Sequence, residues 1–266
     1  MVSPRPFPTP VPYLLFALCA AALPAQDAAI ELEATWPKID SSINKLHHKD
    51  EFQKLFQPGP AVAKKAYEWQ AFASLLPDAD TEVGAVWELD SDALVAFLKQ
   101  LHPGASSRLH MGSQTEGAYA VLLERSPERV DVLLRLHSEF ELERRRTYFT
   151  WSQFEGRLVA DPSKQKVLGF RLGVPERNNN YDVHVRMEDR NGFHMDMGLV
   201  KNVGLRGGTL KPHPDLAAAR RSLREAFYPF GKLDWLPFAQ ALKQAKQDGK
   251  PLHVITIFGP LDDESC

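Results

Sequence analysis

The sequence predicts an α+β fold in which helical regions lie before and after a β-rich middle. Apolar residues recur at helical spacing over residues 39–101, alternate with polar residues over 118–187, and return to helical spacing after residue 215. Helices and strands that are segregated along the chain are typical of α+β proteins. We therefore expect a signal peptide or anchor over residues 1–25, a helical region over 26–112, a β-rich domain over 113–210 and a further α/β unit over 211–266.

The composition is that of an ordinary globular protein. The 266 residues are 44% hydrophobic and 25% charged, with a formal net charge of -2. These values exclude a collagen-like chain, a strongly disordered chain and a multi-span membrane protein. Because 32 Lys and Arg residues are balanced by 34 Asp and Glu residues, the chain lacks the basic excess that binds a phosphate backbone, and we expect no nucleic-acid partner.

The first 25 residues have the order of a secretory signal. Arg5 precedes an apolar run over residues 11–23, and small residues follow up to Ala25. The run is short for a membrane span, and the prolines around it disfavour a buried core helix. The sequence therefore predicts an exported protein, located in the periplasm or an equivalent lumenal compartment, with membrane association through the N-terminus if the signal is not cleaved.

Three sets of apolar residues predict the helical N-terminal region. They lie at helical spacing over residues 39–56, 62–76 and 94–101. Asp90 or Ser91 would cap the third helix, because a short polar side chain at this position accepts a hydrogen bond from the first helical turn.

Five segments with a period of two predict successive antiparallel strands, over residues 118–123, 130–142, 148–160, 167–174 and 181–187. Turn-forming residues separate them, as in an antiparallel sheet or sandwich. Along the second strand the polar residues Arg135, His137, Glu139, Glu141 and Glu143 alternate with apolar ones. This alternation predicts one solvated and one buried face, with no catalytic role for the polar residues.

No residue pattern predicts a metal site. Residues 78–82 start like an EF-hand loop, but Val83 stands where the turn glycine is needed and Leu89 where the bidentate glutamate is needed. The histidines lack the cysteine or carboxylate spacing of a zinc site. The run of arginines at 144–146 is interpreted as a solvated turn.

The end of the chain has the element order of a thioredoxin-like domain. Asp215 would cap one helix, Pro237 would open a second helix that stops at Gly249, and an apolar strand over 252–258 precedes a loop with Cys266. In such domains the loop leads into a helix whose N-terminus lowers the thiol pKa. We therefore expect residues 211–266 to be the N-terminal half of a thioredoxin-like α/β domain, cut at its redox loop.

The closing residues resemble a loop of the selenoprotein N family. Residues 258–266 read Phe-Gly-Pro-Leu-Asp-Asp-Glu-Ser-Cys, and in the family Ser-Cys is followed by selenocysteine and glycine. The resemblance covers Val86 to Cys266 and includes residues 136–140, 151, 153–154, 156, 169–172, 174–175, 226–230 and 236–238. The chain departs from the family in two respects, since its N-terminal region shows no matching EF-hand and the selenocysteine is absent.

The resemblance implies an exported thiol/selenol oxidoreductase. Selenocysteine is encoded by UGA, and reading that codon as a stop would end a family member at Cys266. The selenol would attack a disulfide-containing protein or a small oxidant, Cys266 would be the resolving thiol, and a thiol reductant would restore both groups. Selenocysteine is the redox residue, and no separate cofactor or metal is expected. Cys266 and Ser265 would be the catalytic residues of this chain, and Gly259, Asp262, Asp263 and Glu264 would form the redox loop.

An alternative is a non-catalytic binding or interaction protein that acts through its β-rich domain. If the polypeptide ends at Cys266, its thiol lies beside the terminal carboxylate and three acidic residues. Those negative charges would raise the thiol pKa and make the 266-residue form a poor nucleophile.

Overall fold

An antiparallel sheet, with eleven strands among the described residues, dominates the structure. This computed structural model describes residues 30–37, 59–107, 117–143, 147–175, 180–187, 190–199, 202–233 and 235–254. The predicted signal or anchor over 1–25, the first apolar set over 39–56 and the arginines at 144–146 lie outside the described residues. In the part of the chain that is described, no helix has the length and apolar character needed to cross a membrane.

The predicted β-rich middle is confirmed. Five strands match the five predicted segments, with ends that differ by a few residues: β5 (Ala118–Ser126), β6 (Arg129–Glu143), β7 (Thr147–Asp161), β8 (Lys166–Gly173) and β9 (Asn180–Met187). Two later strands extend this region, because β10 (Arg190–Leu199) pairs with β9 and β11 (Gly204–Gly208) pairs with β8.

Four further strands come from the region for which the sequence predicts helices. They are β1 (Ile30–Thr35), β2 (Lys64–Tyr67), β3 (Val86–Leu89) and the short β4 (Ala105–Ser106). The main strand order is β2-β1-β11-β8-β7-β6-β5-β3, with β4 paired to β6 and β9 paired to β7. The helical N-terminal region is therefore not confirmed, since its described residues contribute both strands and helices to the same fold.

Two helices are described in this region, α1 (Trp69–Ala73) and α2 (Ser91–Leu98). The second matches the third predicted apolar set. Asp90 occupies its N-cap, where Oδ1 accepts a hydrogen bond from the backbone N–H of Asp92 at 3.0 Å. The predicted cap at the start of this helix is confirmed.

The main core lies between these two helices and the inner face of the sheet. Phe72 of α1 and Phe97 of α2 both pack on Phe170 of β8, with ring centroids 5.2 and 5.0 Å apart. The same buried cluster contains Leu32 of β1 and Leu205 of β11. Residues of 30–107 and of 118–205 therefore bury their apolar side chains together.

A few polar groups lie within this core and are hydrogen-bonded. The Tyr67 hydroxyl donates to Gln100 Oε1 at 3.1 Å, and Gln100 Nε2 donates to the Leu32 carbonyl at 2.9 Å. Burial raises the pKa of Tyr67 to about 12, so its hydroxyl stays a donor. His102 Nδ1 accepts from the Gly104 N–H at 3.0 Å, and burial lowers the pKa of this histidine. These bonds tie β1, β2 and the end of α2 together.

Helices return on the other side of the sheet and at the end of the described chain. Helix α3 (Leu216–Phe227) packs its residues Ala219 and Leu223 against the outer face of β5 and β6. Helix α4 (Phe238–Asp248) has no buried residue and ends at Gly249, whose φ is 62°. Residues 251–254 are irregular. The two predicted helices are confirmed, whereas the thioredoxin-like domain is not.

Candidate functional site

The predicted redox loop lies beyond the last described residue, Val254. Gly259, Asp262, Asp263, Glu264, Ser265 and Cys266 are all outside the described residues. Their arrangement and their chemistry stay predictions.

Three polar residues on the outer face of β6 form a buried row, which we call the β6 polar row. Arg135, His137 and Glu139 are 2%, 0% and 3% exposed, respectively. The interpretation of this face as solvated is wrong for these three residues. Their alternation with apolar residues does indicate two different faces, but helix α3 and the residues after it cover the polar face as well.

A guanidinium and an imidazole are in direct contact within the β6 polar row. Arg135 Nη2 lies 3.1 Å and Nε 3.4 Å from His137 Nε2. An arginine side chain has donors but no acceptor, so Nε2 must accept the hydrogen bond. His137 is therefore assigned as the neutral tautomer that carries its proton on Nδ1.

Aromatic rings at the end of α3 cover this pair. The Phe227 ring stacks on the His137 ring at 4.2 Å with an interplanar angle of 19°. Arg135 Cζ lies 4.7 Å from the Phe227 centroid and 5.3 Å from the Tyr228 centroid. Cation–π contacts of this kind strengthen when water is excluded. The β6 polar row thus anchors the end of α3, from which the chain continues towards the predicted redox loop.

A second buried group of charges lies further along the outer face. Asp131 is fully buried, and Arg157 binds it with both ends of its fork, through Nε to Oδ1 at 2.9 Å and Nη2 to Oδ2 at 2.7 Å. Arg157 Nη1 also donates to the Lys211 carbonyl. Arg129 joins the group, 3.1 Å from Asp131 Oδ2 and 2.8 Å from Glu124 Oε2. This network fastens the segment after β11 to the sheet.

The same place offers three potential metal ligands. Single ligand atoms of Glu124, Asp131 and His213 lie within 4.8 Å of one another. Both carboxylates, however, are already bound by the guanidinium groups of Arg129 and Arg157. A cation would have to displace two positive charges that are held in place, so the donor set fits an ion-pair network better than a metal centre.

One indication that the β6 polar row is covered was present in the sequence, namely an apolar stripe on the helix that covers it. The spacing of Leu216, Ala219, Leu223 and Phe227 predicts a helix with one apolar stripe, which must be buried somewhere. The spacing did not indicate which surface the stripe covers. That surface is the outer face of β5 and β6, where Ala219 and Leu223 pack on an apolar cluster and Phe227 packs on the β6 polar row. The contact joins segments that are far apart in sequence.

Comparison with known proteins finds similarity to selenoprotein N. The chain is 28% identical to the human protein over 212 aligned residues, and 26% identical to the mouse protein over the same length. The zebrafish (Danio rerio) protein is 25% identical over 213 residues. Each alignment covers 64% of this chain but only 35 to 37% of the relative, so the chain spans little more than a third of the length of these proteins. No protein-family model and no solved structure matches the chain significantly.

Proposed function

We propose that this chain, which belongs to the selenoprotein N family, carries the resolving thiol of an exported thiol/selenol oxidoreductase. The observation that carries the proposal is the loop over residues 258–266, which resembles the family loop with selenocysteine after Ser-Cys. The apolar run over residues 11–23 supports export.

The proposed chemistry is thiol–disulfide exchange with selenium as the attacking atom. The selenolate after Cys266 attacks one sulfur of a substrate disulfide, forms a selenium–sulfur bond and releases the other sulfur as a thiolate. The Cys266 thiolate then attacks selenium, releases the second substrate thiolate and leaves an internal selenium–sulfur bond. Two equivalents of a thiol reductant supply the electrons that reopen this bond and become a disulfide.

The loop residues have supporting roles in this proposal. Gly259 and Ser265 would shape the loop, and Asp262, Asp263 and Glu264 place three negative charges within four residues of Cys266 in the sequence. Such charge raises the pKa of a thiol. A selenol is intrinsically more acidic than a thiol, so it stays ionised in surroundings where Cys266 alone is a poor nucleophile. The 266-residue form is therefore expected to have little reductase activity.

The coding sequence after the Cys266 codon provides the first test. The proposal requires a UGA codon, a glycine codon and an open frame that completes a thioredoxin-like domain. A UAA or UAG codon at that position would overturn it.

Activity of the extended protein provides the second test. A protein that includes the selenocysteine should reduce a model disulfide at pH 7 with a dithiol as reductant, and Cys266→Ser should remove most of that activity. Cys19→Ser is the matched control, because the chain has two cysteines and Cys19 lies in the predicted signal. An extended protein no faster than the 266-residue form, or an extended Cys266→Ser variant as active as its parent, contradicts the proposal.

A binding function of the β-rich domain is the second candidate. The large antiparallel sheet favours it, because the outer face of β8 and β11 presents exposed arginines to solvent. Failure of both tests above would make this face the place to look for function.

A further inference from the structure

A row of charged residues crosses four neighbouring strands on the outer face of the sheet. Glu33 on β1 stands opposite Arg206 on β11, Arg206 stands opposite Arg171 on β8, and Arg171 stands opposite Arg157 on β7. The residues that flank Arg171 in sequence, Phe170 and Leu172, are fully buried on the inner face. Since side chains alternate along a strand, the arginines lie on the face away from the core.

The three arginines differ in how their charges are compensated. Arg157 is bound by the buried carboxylate of Asp131. Arg206 Nη2 lies 3.4 Å from Glu33 Oε2, but the two side chains are 72% and 51% exposed, so this pair contributes little. Arg171 is exposed and makes no ion pair or hydrogen bond to any described residue. The row therefore has an uncompensated positive charge at its centre.

Two like charges stand directly opposite each other in this row. Opposed side chains on antiparallel strands have Cβ atoms about 5 Å apart, and like charges at such positions destabilise a sheet. Glu155 of β7 stands opposite Gly173, two residues from Arg171, and its carboxylate accepts hydrogen bonds from Arg220 Nε and Nη2, both at 2.7 Å. The opposition of Arg171 and Arg206 is thus not relieved by Glu155.

Glycines leave the two arginines without side-chain neighbours along their own strands. Gly169 and Gly173 lie two residues before and after Arg171, and they pair with Gly208 and Gly204, which flank Arg206 in the same way. A Cβ atom at Gly204 would lie 2.6 Å from the Gly173 Cα, so the strands approach closely there. The Leu210 side chain occupies the space over Gly169, whereas only backbone atoms lie over Gly173 and Gly204. A ligand can therefore reach both guanidinium groups from the side of Gly173 and Gly204.

We propose that Arg171 and Arg206 bind an oxyanion of a small ligand, a phosphate or a carboxylate. A guanidinium group presents a planar fork that matches two oxygen atoms of such an anion. The guanidinium groups of Arg171 and Arg206, on opposed strands, place positive charge on both sides of one ligand. The negative charge of the ligand then relieves the repulsion between the two guanidinium groups. This site is independent of the proposed redox chemistry.

Titration of the 266-residue chain with inorganic phosphate tests the proposal. Amide chemical shifts are followed by NMR at constant ionic strength, with acetate in a parallel titration to separate phosphate from carboxylate recognition. Shifts should be centred on residues 169–173 and 204–208. Arg171→Gln and Arg206→Gln should each weaken binding about tenfold or more, since each removes charge-assisted hydrogen bonds to the anion.

Two controls distinguish a site from diffuse attraction. Arg221→Gln makes the same charge change at an exposed arginine on α3 and should leave the affinity unchanged. Without the anion, Arg171→Gln should not lower stability, because it removes a repulsion. The proposal would be overturned if Arg221→Gln weakened anion binding as much as Arg171→Gln, or if chloride caused chemical-shift changes equal to those with phosphate. It would also be overturned if Arg171→Gln left anion binding unchanged, or if neither phosphate nor acetate bound.

Discussion

At the scale of single residues, Asp161 shows how a short turn is held by one carboxylate. It caps the 3-10 turn Pro162–Lys164, where Oδ1 accepts from the Ser163 hydroxyl at 2.6 Å and the Lys164 N–H at 3.2 Å. Oδ2 accepts from Lys164 Nζ at 2.9 Å. The hydrogen bonds from Ser163 and Lys164 lower the pKa of Asp161 to about 2. The turn therefore binds the ionised form of Asp161 more strongly than the protonated form.

Asp161→Asn should destabilise the protein in a pH-dependent way. The folded pKa is about 2, below the ordinary value of 3.8, so the carboxylate stabilises the fold above pH ~4 and loses this effect as the pH falls through about 2. Urea unfolding between pH 2 and 7 should show a lower free energy of unfolding for the variant than for the wild type. This difference should disappear towards pH 2.

Asp215→Asn is the matched control, because Asp215 occupies the N-cap of α3 without a side-chain hydrogen bond to it. It should change stability little at any of these pH values. If the free energy of unfolding of Asp161→Asn differs from that of the wild type by the same amount down to pH 2, the charge of the Asp161 carboxylate does not have this role.

Local residue roles were easier to predict than burial. The cap at Asp90 follows from a few neighbouring positions, and the sequence predicted it correctly. The burial of Arg135 and His137 depends on Phe227, which arrives from a distant segment. Alternation along one strand predicts which residues share a face, but not what covers that face.

At the scale of elements, helix α3 is the part that connects the sheet to the C-terminal segment. Its apolar residues pack on β5 and β6, Arg220 pairs with Glu155 of β7, and Phe227 covers the β6 polar row. Helix α4 buries none of its residues. The two helices should therefore respond very differently to truncation of a side chain.

Phe227→Ala should cost about 3 kcal/mol in the free energy of unfolding, the low end for loss of a buried phenyl ring. The substitution removes the stack on His137 and the contact with Arg135, and it admits water to two buried polar groups. Denaturant unfolding at neutral pH would measure the change.

Phe238→Ala in α4 is the matched control, since its ring is 62% exposed. It should change stability by less than about 0.5 kcal/mol. Equal effects of the two substitutions would mean that Phe227 is not a structural anchor.

Among the elements, the long strands were predictable and the short ones were missed. β6 and β7 alternate over many residues, which gives a strong period-two signal. β1 alternates too, with Leu32 and Ala34 inward and Glu31 and Glu33 outward, but six residues give a weak signal. β11 contains three glycines in five residues and has almost no pattern.

At the scale of the molecule, the described sheet and its inner helices share one buried cluster. β1 joins β2 to β11, and the aromatic residues of α1 and α2 pack on β8. The boundary expected near residue 112 therefore has strands of the same sheet on both sides. For the predicted redox loop, element order indicated a loop with Cys266, and only the resemblance suggested its selenium chemistry, because the spacing of its residues does not reveal their neighbours.

Hydrogen exchange should reveal this organisation. Amides of β1 and β7 should exchange through the same global opening, with equal dependence on denaturant, since they belong to one core. Amides of α4 should exchange much faster, because the helix has no buried residue. Exchange of β1 at low denaturant, independently of β7, would contradict a shared core.

The pairing of β1 with β11 limits when the sheet can form during synthesis of the chain. Glu33 stands opposite Arg206, a residue 173 positions later. A growing chain emerges from the ribosome N-terminus first, so β1 waits without this partner until almost the whole sheet has been translated. During that interval we expect Leu32, which is fully buried in the folded protein, to be exposed. A slow or paused ribosome would prolong this exposure, so newly made chains should depend on a chaperone more than the finished protein does.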